Sequence, residues 1–270
     1  MSLSVVRTIA VSVFRESVRD KVLYNLVFFA VMMIAVSYLL SQLTAGQDLK
    51  VIKDLGLAAM SIFGLFIAVF IGIGLVSKEV EKRSIYALLA KPIRREEFII
   101  GKYFGLLLTL FVNLTVMAVA YYAVLGGVAW VDGAWMRPHW EAPAVDPALL
   151  KAIAMTFLQL AIVVAVALFF STFSSPMLAA ALTFGLYVVG HFNADLKNFE
   201  NVVESKPIVY IARVLYYVLP NLAPLDVKGD VVHAVPVPAT YLLLNTAYAI
   251  VYVGILVTAA TLIFTRRDFK

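Results

Sequence analysis

The chain has 270 residues, of which 63% are hydrophobic and only 14% are charged. Soluble domains carry about 25% charged residues, and the apolar runs of about 18 or more residues are too long for buried strands. The composition therefore excludes a soluble globular protein. The net charge of +5 lies beside the apolar runs, where basic residues set membrane orientation, and does not indicate nucleic-acid binding. The absence of cysteine excludes disulfides and thiolate metal sites.

The first 21 residues have the pattern of an amphipathic helix. Val6, Ala10 and Val13 recur at helical spacing, and arginines fall between them. This predicts an interfacial helix over residues 1–21, in contact with the cytoplasmic face of the lipid bilayer. The alternative is a helical extension of the first span. In residues 1–21 the charges are spread along the segment, and no small-residue cleavage site follows. These two features predict that the segment is retained and is not a signal peptide.

Six membrane-spanning helices are predicted, which makes the fold class an all-α integral membrane protein with a single domain over residues 1–270. The fifth span is short, because a crossing helix needs about 20 residues. The predicted spans are residues 22–43, 55–77, 98–125, 149–173, 177–192 and 241–265.

The second span carries small residues on one face. Gly64, Ala68 and Gly72 recur every four residues. Such a face allows helices to approach closely in lipid. A substrate pathway lined by backbone is the alternative.

Basic residues set the predicted orientation. Most of the 22 Lys and Arg residues lie in residues 1–21, 78–102 and 266–270. The positive-inside rule then places both termini and the segment 78–97 in the cytoplasm. The segment 194–238, between the fifth and sixth spans, is predicted to be extracytoplasmic.

Enzyme signatures are missing from the sequence. His139, His191 and His233 lie too far apart for a helical zinc site, so no metal site is predicted. No GxSxG motif occurs, and Gly101-Lys102 is followed by Tyr103 and does not complete a P-loop. We predict no catalytic residue in this chain, and hence no enzyme.

The spans themselves are uncharged. No Asp, Glu, Lys, Arg or His lies within residues 22–43, 56–77, 103–125, 152–173, 177–190 or 241–265. Coupled transporters use such residues for ions or protons, so the energy is expected to come from outside this chain. Asn113, Gln159 and Asn245 remain as candidates for a substrate pathway. Hydrogen bonding between helices is the alternative for each of them.

The charged segment between the second and third spans has features that a simple connector does not need. Ile85, Leu88 and Leu89 lie on one side of a helix predicted over residues 78–91, and Pro92 blocks its continuation. A helix this short is marginal in water and needs a partner surface. The alternative is a basic loop that only anchors the topology.

This run resembles the membrane subunits of type-2 ABC exporters. The resemblance rests on an acidic entry, a small residue, a Leu pair, a proline, basic residues, an acidic–aromatic pair and Gly-Lys. These are Glu79 and Glu81, Ser84, Leu88-Leu89, Pro92, Arg94-Arg95, Glu97-Phe98 and Gly101-Lys102. In size the chain is similar to the copper-enzyme maturation permeases, whose ATPase is a separate polypeptide.

The resemblance implies a permease subunit of an ABC transporter that works as an exporter. It also implies that the helix 78–91 is a coupling helix, which contacts a separate ABC ATPase. It also implies a homodimer in a bacterial or archaeal cell membrane. ATP and Mg would be bound by the ATPase, so this chain carries no cofactor. The alternative is a non-transporting membrane anchor or assembly scaffold for a soluble partner. The residues implied in ATPase coupling are Glu79, Glu81, Ile85, Leu88, Leu89, Pro92, Arg94 and Arg95.

Overall fold

A computed structural model describes residues 2–41, 48–81, 94–132, 143–192 and 206–266. These residues form helices and connecting turns, with no strand among them, so the all-α prediction is confirmed. In chain order the helices are α1 (Leu3–Val18), α2 (Lys21–Ser41), α3 (Asp48–Glu81), α4 (Arg95–Asp132), α5 (Leu149–Ser171), α6 (Pro176–His191), α7 (Lys206–Val218), α8 (Lys228–Val232) and α9 (Ala239–Arg266), and a 3₁₀ turn occupies Ala223–Leu225.

Among the described residues, six segments are long and apolar enough to cross a membrane, which is as many as the sequence predicted. Five of them coincide with predicted spans. The remaining one is Pro207–Val232, whereas the predicted fifth span is α6, a helix of 16 residues and about 24 Å. The six segments are Leu23–Leu40, Leu49–Gly74, Arg95–Trp130, Leu149–Ser171, Pro207–Val232 and Ala239–Arg266.

The segment Pro207–Val232 is broken in the middle. Its first helix, α7, ends at Val218, two residues before Pro220, because proline lacks the N–H that a continuing helix needs. The Tyr252 hydroxyl donates a hydrogen bond to the Val218 carbonyl at 2.8 Å. Tyr252 lies about 20 Å along α9 from Ala239, nearly half the length of that helix.

After Val218 the chain runs back alongside α9, towards the start of that helix at Ala239. The backbone N–H of Asn221 donates to the Tyr248 hydroxyl at 2.7 Å, and the Tyr241 hydroxyl donates to the Pro224 carbonyl at 2.9 Å. We call residues 218–237 the returning segment. The second half of the predicted segment 194–238 therefore packs among the helices and does more than connect them.

Helix α5 is the centre of the bundle. Every residue from Leu160 to Leu168 is buried, as expected for a helix that is apolar on all sides. It packs against α3, α4, α6, α8 and α9. A Cβ atom on Gly64 would lie 2.5 Å from the Leu160 Cδ1 atom, and one on Gly72 would lie 3.0 Å from the Ala167 Cβ atom. The small face of α3 thus packs on α5, which confirms the packing interpretation.

Helix α1 packs along α4 and does not continue α2. The helical pattern breaks at Asp20, and Val6, Val13 and Ser17 are buried. Cβ atoms on Gly101 and Gly105 would lie 2.8 Å and 2.6 Å from side-chain atoms of α1. The two glycines of α4 thus bring the α1 and α4 backbones close together. The alternative, an extension of the first span, is excluded.

A buried lysine lies near the first turns of α3. Lys53 has no exposed surface, and its Nζ atom donates a hydrogen bond to the Pro143 carbonyl at 2.9 Å. The Asp146 carboxylate interacts with it electrostatically. The sequence prediction began this span at residue 55, so it missed the burial of Lys53.

We expect Asp146→Asn to lower the thermal stability of the purified protein by about 1–2 kcal/mol, because the buried ammonium loses a nearby carboxylate. A thermal melt in mild detergent measures the effect. Asp54→Asn is the matched control, since Asp54 is an exposed carboxylate next to Lys53. Equal melting temperatures for the two variants would contradict the role of Asp146.

Candidate functional site

Most of the residues predicted to couple to an ATPase lie outside the described part of the chain. Ile85, Leu88, Leu89 and Pro92 fall in residues 82–93, which the structure does not describe. Glu79 and Glu81 lie at the end of α3, and their side chains are also outside the described set. Their role in coupling stays a prediction.

The two arginines of the set lie at the start of α4. Arg94 is exposed, and Arg95 is half-buried. The Arg95 Nη1 atom donates hydrogen bonds to the carbonyls of Thr265 at 2.9 Å and Phe264 at 3.5 Å. A cation is favourable at a helix C-terminus, where carbonyls lack intrahelical partners. Arg95 thus ties the start of α4 to the end of α9.

Glu97 ties the same turn to α1. One carboxylate oxygen accepts a hydrogen bond from the Ser2 backbone N–H at 2.6 Å, and the other accepts from the Arg94 backbone N–H at 3.4 Å. The second contact is half of a capping box, in which an acidic residue at the third helical position satisfies the N-cap. Sequence reasoning used Glu97 only as part of a motif. The sequence signal was available, because Glu97 is an acidic residue at the third position of the helix that begins after the break at Pro92.

Aromatic contacts join α4 to α9 at the same level. The rings of Phe98 and Phe264 stack with centroids 5.6 Å apart. The buried Lys102 side chain places its Nζ atom 4.7 Å from the Phe98 ring centroid. The first turns of α4, which follow residues 82–93 directly, are therefore attached to both α1 and α9.

Two of the three candidate pathway residues bond within their own helices. The Asn113 Nδ2 atom donates to the Thr109 carbonyl at 2.6 Å, and the Asn245 Nδ2 atom donates to the Tyr241 carbonyl at 2.9 Å. Each partner lies four residues earlier on the same helix. The structure therefore does not bring Asn113 and Asn245 into a shared site.

Gln159 is different, because it joins three elements. Its Nε2 atom lies 2.8 Å from His191 Nε2, at the end of α6, and 3.5 Å from the Leu222 carbonyl of the returning segment. The His191 Nδ1 atom lies 2.9 Å from the Tyr187 carbonyl.

The returning segment also carries charges into the bundle. The Lys228 Nζ atom donates to the Ser61 hydroxyl of α3 at 2.8 Å and pairs with the Asp226 carboxylate at 3.3 Å. Ser61 is buried and lies about 20 Å from the first residue of α3. Sequence reasoning found no charge in the spans and missed this pair, since it lies on a segment without span-like periodicity.

The described residues contain no group of three His, Cys, Asp or Glu side chains that could hold a metal ion. The family model for the ABC-2 family transporter protein matches residues 7–269. The chain belongs to the ABC-2 transporter family. The match names this family and not the copper-enzyme maturation group within it. No curated protein matches the sequence.

Membership of the ABC-2 family agrees with the six apolar segments and defines a multi-pass membrane component of an ABC transporter. Members of this family are transport components and are not themselves the ATPase, and they work with an ABC ATPase partner. The contacts that hold the start of α4 to α1 and α9 therefore belong to the membrane component of an ABC transporter.

Proposed function

We propose that this chain is the permease subunit of an ATP-driven exporter, with ATP and Mg bound by a separate ABC ATPase. Two copies of the chain form the membrane unit, in a bacterial or archaeal cell membrane with both termini in the cytoplasm. The family match over residues 7–269 is the observation that carries this proposal. The exposed Arg7, Arg15 and Arg19 of α1 support the cytoplasmic placement of the N-terminus.

Force from the ATPase enters through the coupling segment, residues 78–97, which ends in the first turn of α4. When the ATPase displaces that segment, the start of α4 moves with it. The hydrogen bond between Glu97 and Ser2 then moves α1, and the hydrogen bond between Arg95 and Thr265 moves the end of α9. The ATPase shifts the permease between inward-open and outward-open states because it binds them with different affinity.

The test uses the permease co-expressed with a candidate ABC ATPase subunit from the same genome. We expect the ATPase to co-purify, and Leu88→Asp or Leu89→Asp to weaken its binding about tenfold or more, since a charge replaces an apolar contact in the interface. ATPase activity in liposomes should fall with binding. Leu88→Met is the control, because it keeps an apolar side chain of similar volume.

Each result has a defined meaning. Failure of the ATPase to co-purify would contradict the proposal. Unchanged binding and unchanged ATPase stimulation in both Asp variants would refute the coupling helix. Binding without any transport-linked ATP turnover would instead identify a membrane anchor.

A further inference from the structure

A groove of about 530 Å³ lies between α4 and α5. Leu114 and Ile153 are buried at its floor, whereas Val119 and Leu150 are exposed at its rim. The volume is within the range of about 300–1,000 Å³ that is usual for ligand sites. Both helices belong to segments that are apolar enough to cross a membrane, so the groove opens towards the hydrocarbon of the bilayer.

The chemistry of the groove favours an apolar ligand. Among its described lining residues, Thr115 and Tyr122 carry the polar side chains. The Thr115 hydroxyl donates a hydrogen bond to the Phe111 carbonyl at 2.8 Å, and the Tyr122 hydroxyl donates to the Asp146 carbonyl at 3.0 Å. Both hydroxyl hydrogens are thus used within the chain. A polar ligand would lose its hydrogen bonds to water there without replacement, whereas a hydrocarbon chain has none to lose.

The groove has about the length of one leaflet of the bilayer. Along α4 it extends from Tyr122 to Phe111, which is about 16 Å. At its far end the rings of Phe111 and Phe157 meet edge to face with centroids 5.7 Å apart, about 12 Å along α5 from Leu149. Half of the hydrocarbon core is about 15 Å. This length matches an acyl chain from one leaflet, whereas a helix of a second copy would cross both.

A charged cleft of about 270 Å³ adjoins the groove at the start of α5. It lies between the turn before α5 and the end of the returning segment, and both Asp146 and Lys151 line it. Leu150 of the groove precedes Lys151, and Tyr122 of the groove bonds to the Asp146 carbonyl. Lys151 is exposed and donates one hydrogen bond, to the Val237 carbonyl at 3.3 Å. An ammonium has three donors, so two remain for a ligand.

We propose that the groove and the cleft together bind a zwitterionic phospholipid. One acyl chain lies in the groove, the phosphate lies beside Lys151 and the ammonium of the head group lies beside Asp146. Charge complementarity favours this head group, because an anionic head without an ammonium would place its charge near the Asp146 carboxylate. The inference goes beyond the proposed function, since binding is a property of this chain without the ATPase.

The experiment measures how tightly two single-chain lipids bind to the purified permease in a nonionic detergent. The probes are palmitoyl-lysophosphatidylethanolamine and palmitoyl-lysophosphatidylglycerol, which have the same acyl chain and phosphate. Only the first carries an ammonium. Native mass spectrometry counts the lipid that stays bound to the chain. We expect the ethanolamine lipid to bind about tenfold more tightly, because its ammonium gains a charged hydrogen bond.

Variants test the groove and the cleft separately. Ala154→Phe should weaken both lipids about tenfold, because a ring at this exposed lining position occupies the space of the acyl chain. Ala123→Phe is the matched control and should leave binding unchanged, since Ala123 is exposed on α4 and does not line the groove. Asp146→Asn should remove the preference for the ethanolamine head, and Lys151→Gln should weaken both lipids.

Equal binding in the Ala154→Phe and Ala123→Phe variants would overturn the groove as the site of the acyl chain. Equal binding of the two lipids to the unaltered chain, or a preference that survives in Asp146→Asn, would overturn the assignment of the head group. A dimer that Ala154→Phe disrupts would show that a second copy covers the groove instead of lipid. The Leu88 variants measure ATPase docking separately, so the permease proposal and the lipid site can fail independently.

Discussion

We expect the Gly105→Leu substitution to separate α1 from the start of α4. A Cβ atom at this position would lie 2.6 Å from the Val13 Cβ atom and 2.7 Å from the Ala10 carbonyl oxygen. One of these contacts is with backbone, which does not yield as a flexible side chain does. The helices must therefore move apart, at a cost of about 3 kcal/mol or more from overpacking and lost contacts.

Cysteine labelling measures this separation, because the chain has no cysteine of its own. Val13→Cys places a thiol on a side chain that is 5% exposed. Its reaction with a maleimide should be slow alone and much faster when combined with Gly105→Leu. Gly126→Leu is the control on the same helix, since a Cβ atom there meets nothing within 4 Å.

Equal labelling rates in the Gly105 and Gly126 variants would contradict the close packing of α1 on α4. Faster labelling in the Gly105→Leu variant would also show that the substitution affects the part of the protein through which the ATPase is proposed to act. The Glu97 contact with Ser2 holds α1 beside the segment through which the ATPase is proposed to act. ATPase stimulation should fall in Gly105→Leu and persist in Gly126→Leu.

The Gly190→Leu substitution should displace the returning segment from α6. A Cβ atom on Gly190 would lie 2.9 Å from the Leu222 Cγ atom and 2.9 Å from the Pro220 carbonyl oxygen. The Gly190 carbonyl also accepts the Leu222 backbone N–H at 2.9 Å. A larger side chain breaks this contact and moves Leu222 away from Gln159.

The expected result is exposure of residues that the returning segment buries. Leu225→Cys carries a thiol at a position that is 1% exposed, and maleimide should label it faster in the Gly190→Leu background. Gly185→Leu is the control on the same helix, because that position has open space around it. The packing of the segment on α6 is wrong if labelling is equally slow in both backgrounds.

The elements that sequence reasoning predicted well depend on local patterns. The four-residue spacing of Gly64, Ala68 and Gly72 predicted a packing face, and α5 occupies that face. The three- and four-residue spacing of α1 predicted a separate helix. The residues that were assigned to coupling between 82 and 93 lie outside the described chain and stay predictions.

The elements that sequence reasoning missed depend on distant partners. Gln159 meets His191 and Leu222, which lie 32 and 63 positions away. Lys53 lies before the predicted start of the second span, yet it is buried and bonds to the carbonyl of Pro143, 90 positions away. A residue pattern shows which face of a helix is apolar, but it does not show which element covers that face.

The sequence by itself determined that this protein is an all-α membrane protein and which family it resembles. Hydropathy and motif spacing are properties of neighbouring residues, so they can be read along the chain. Only the tertiary structure decided that α1 lies on Gly101 and Gly105, and that the segment after Pro220 returns into the bundle. The reason is physical. Helices in lipid associate through close packing and hydrogen bonds between surfaces far apart in sequence, and those contacts exist only once the chain is folded.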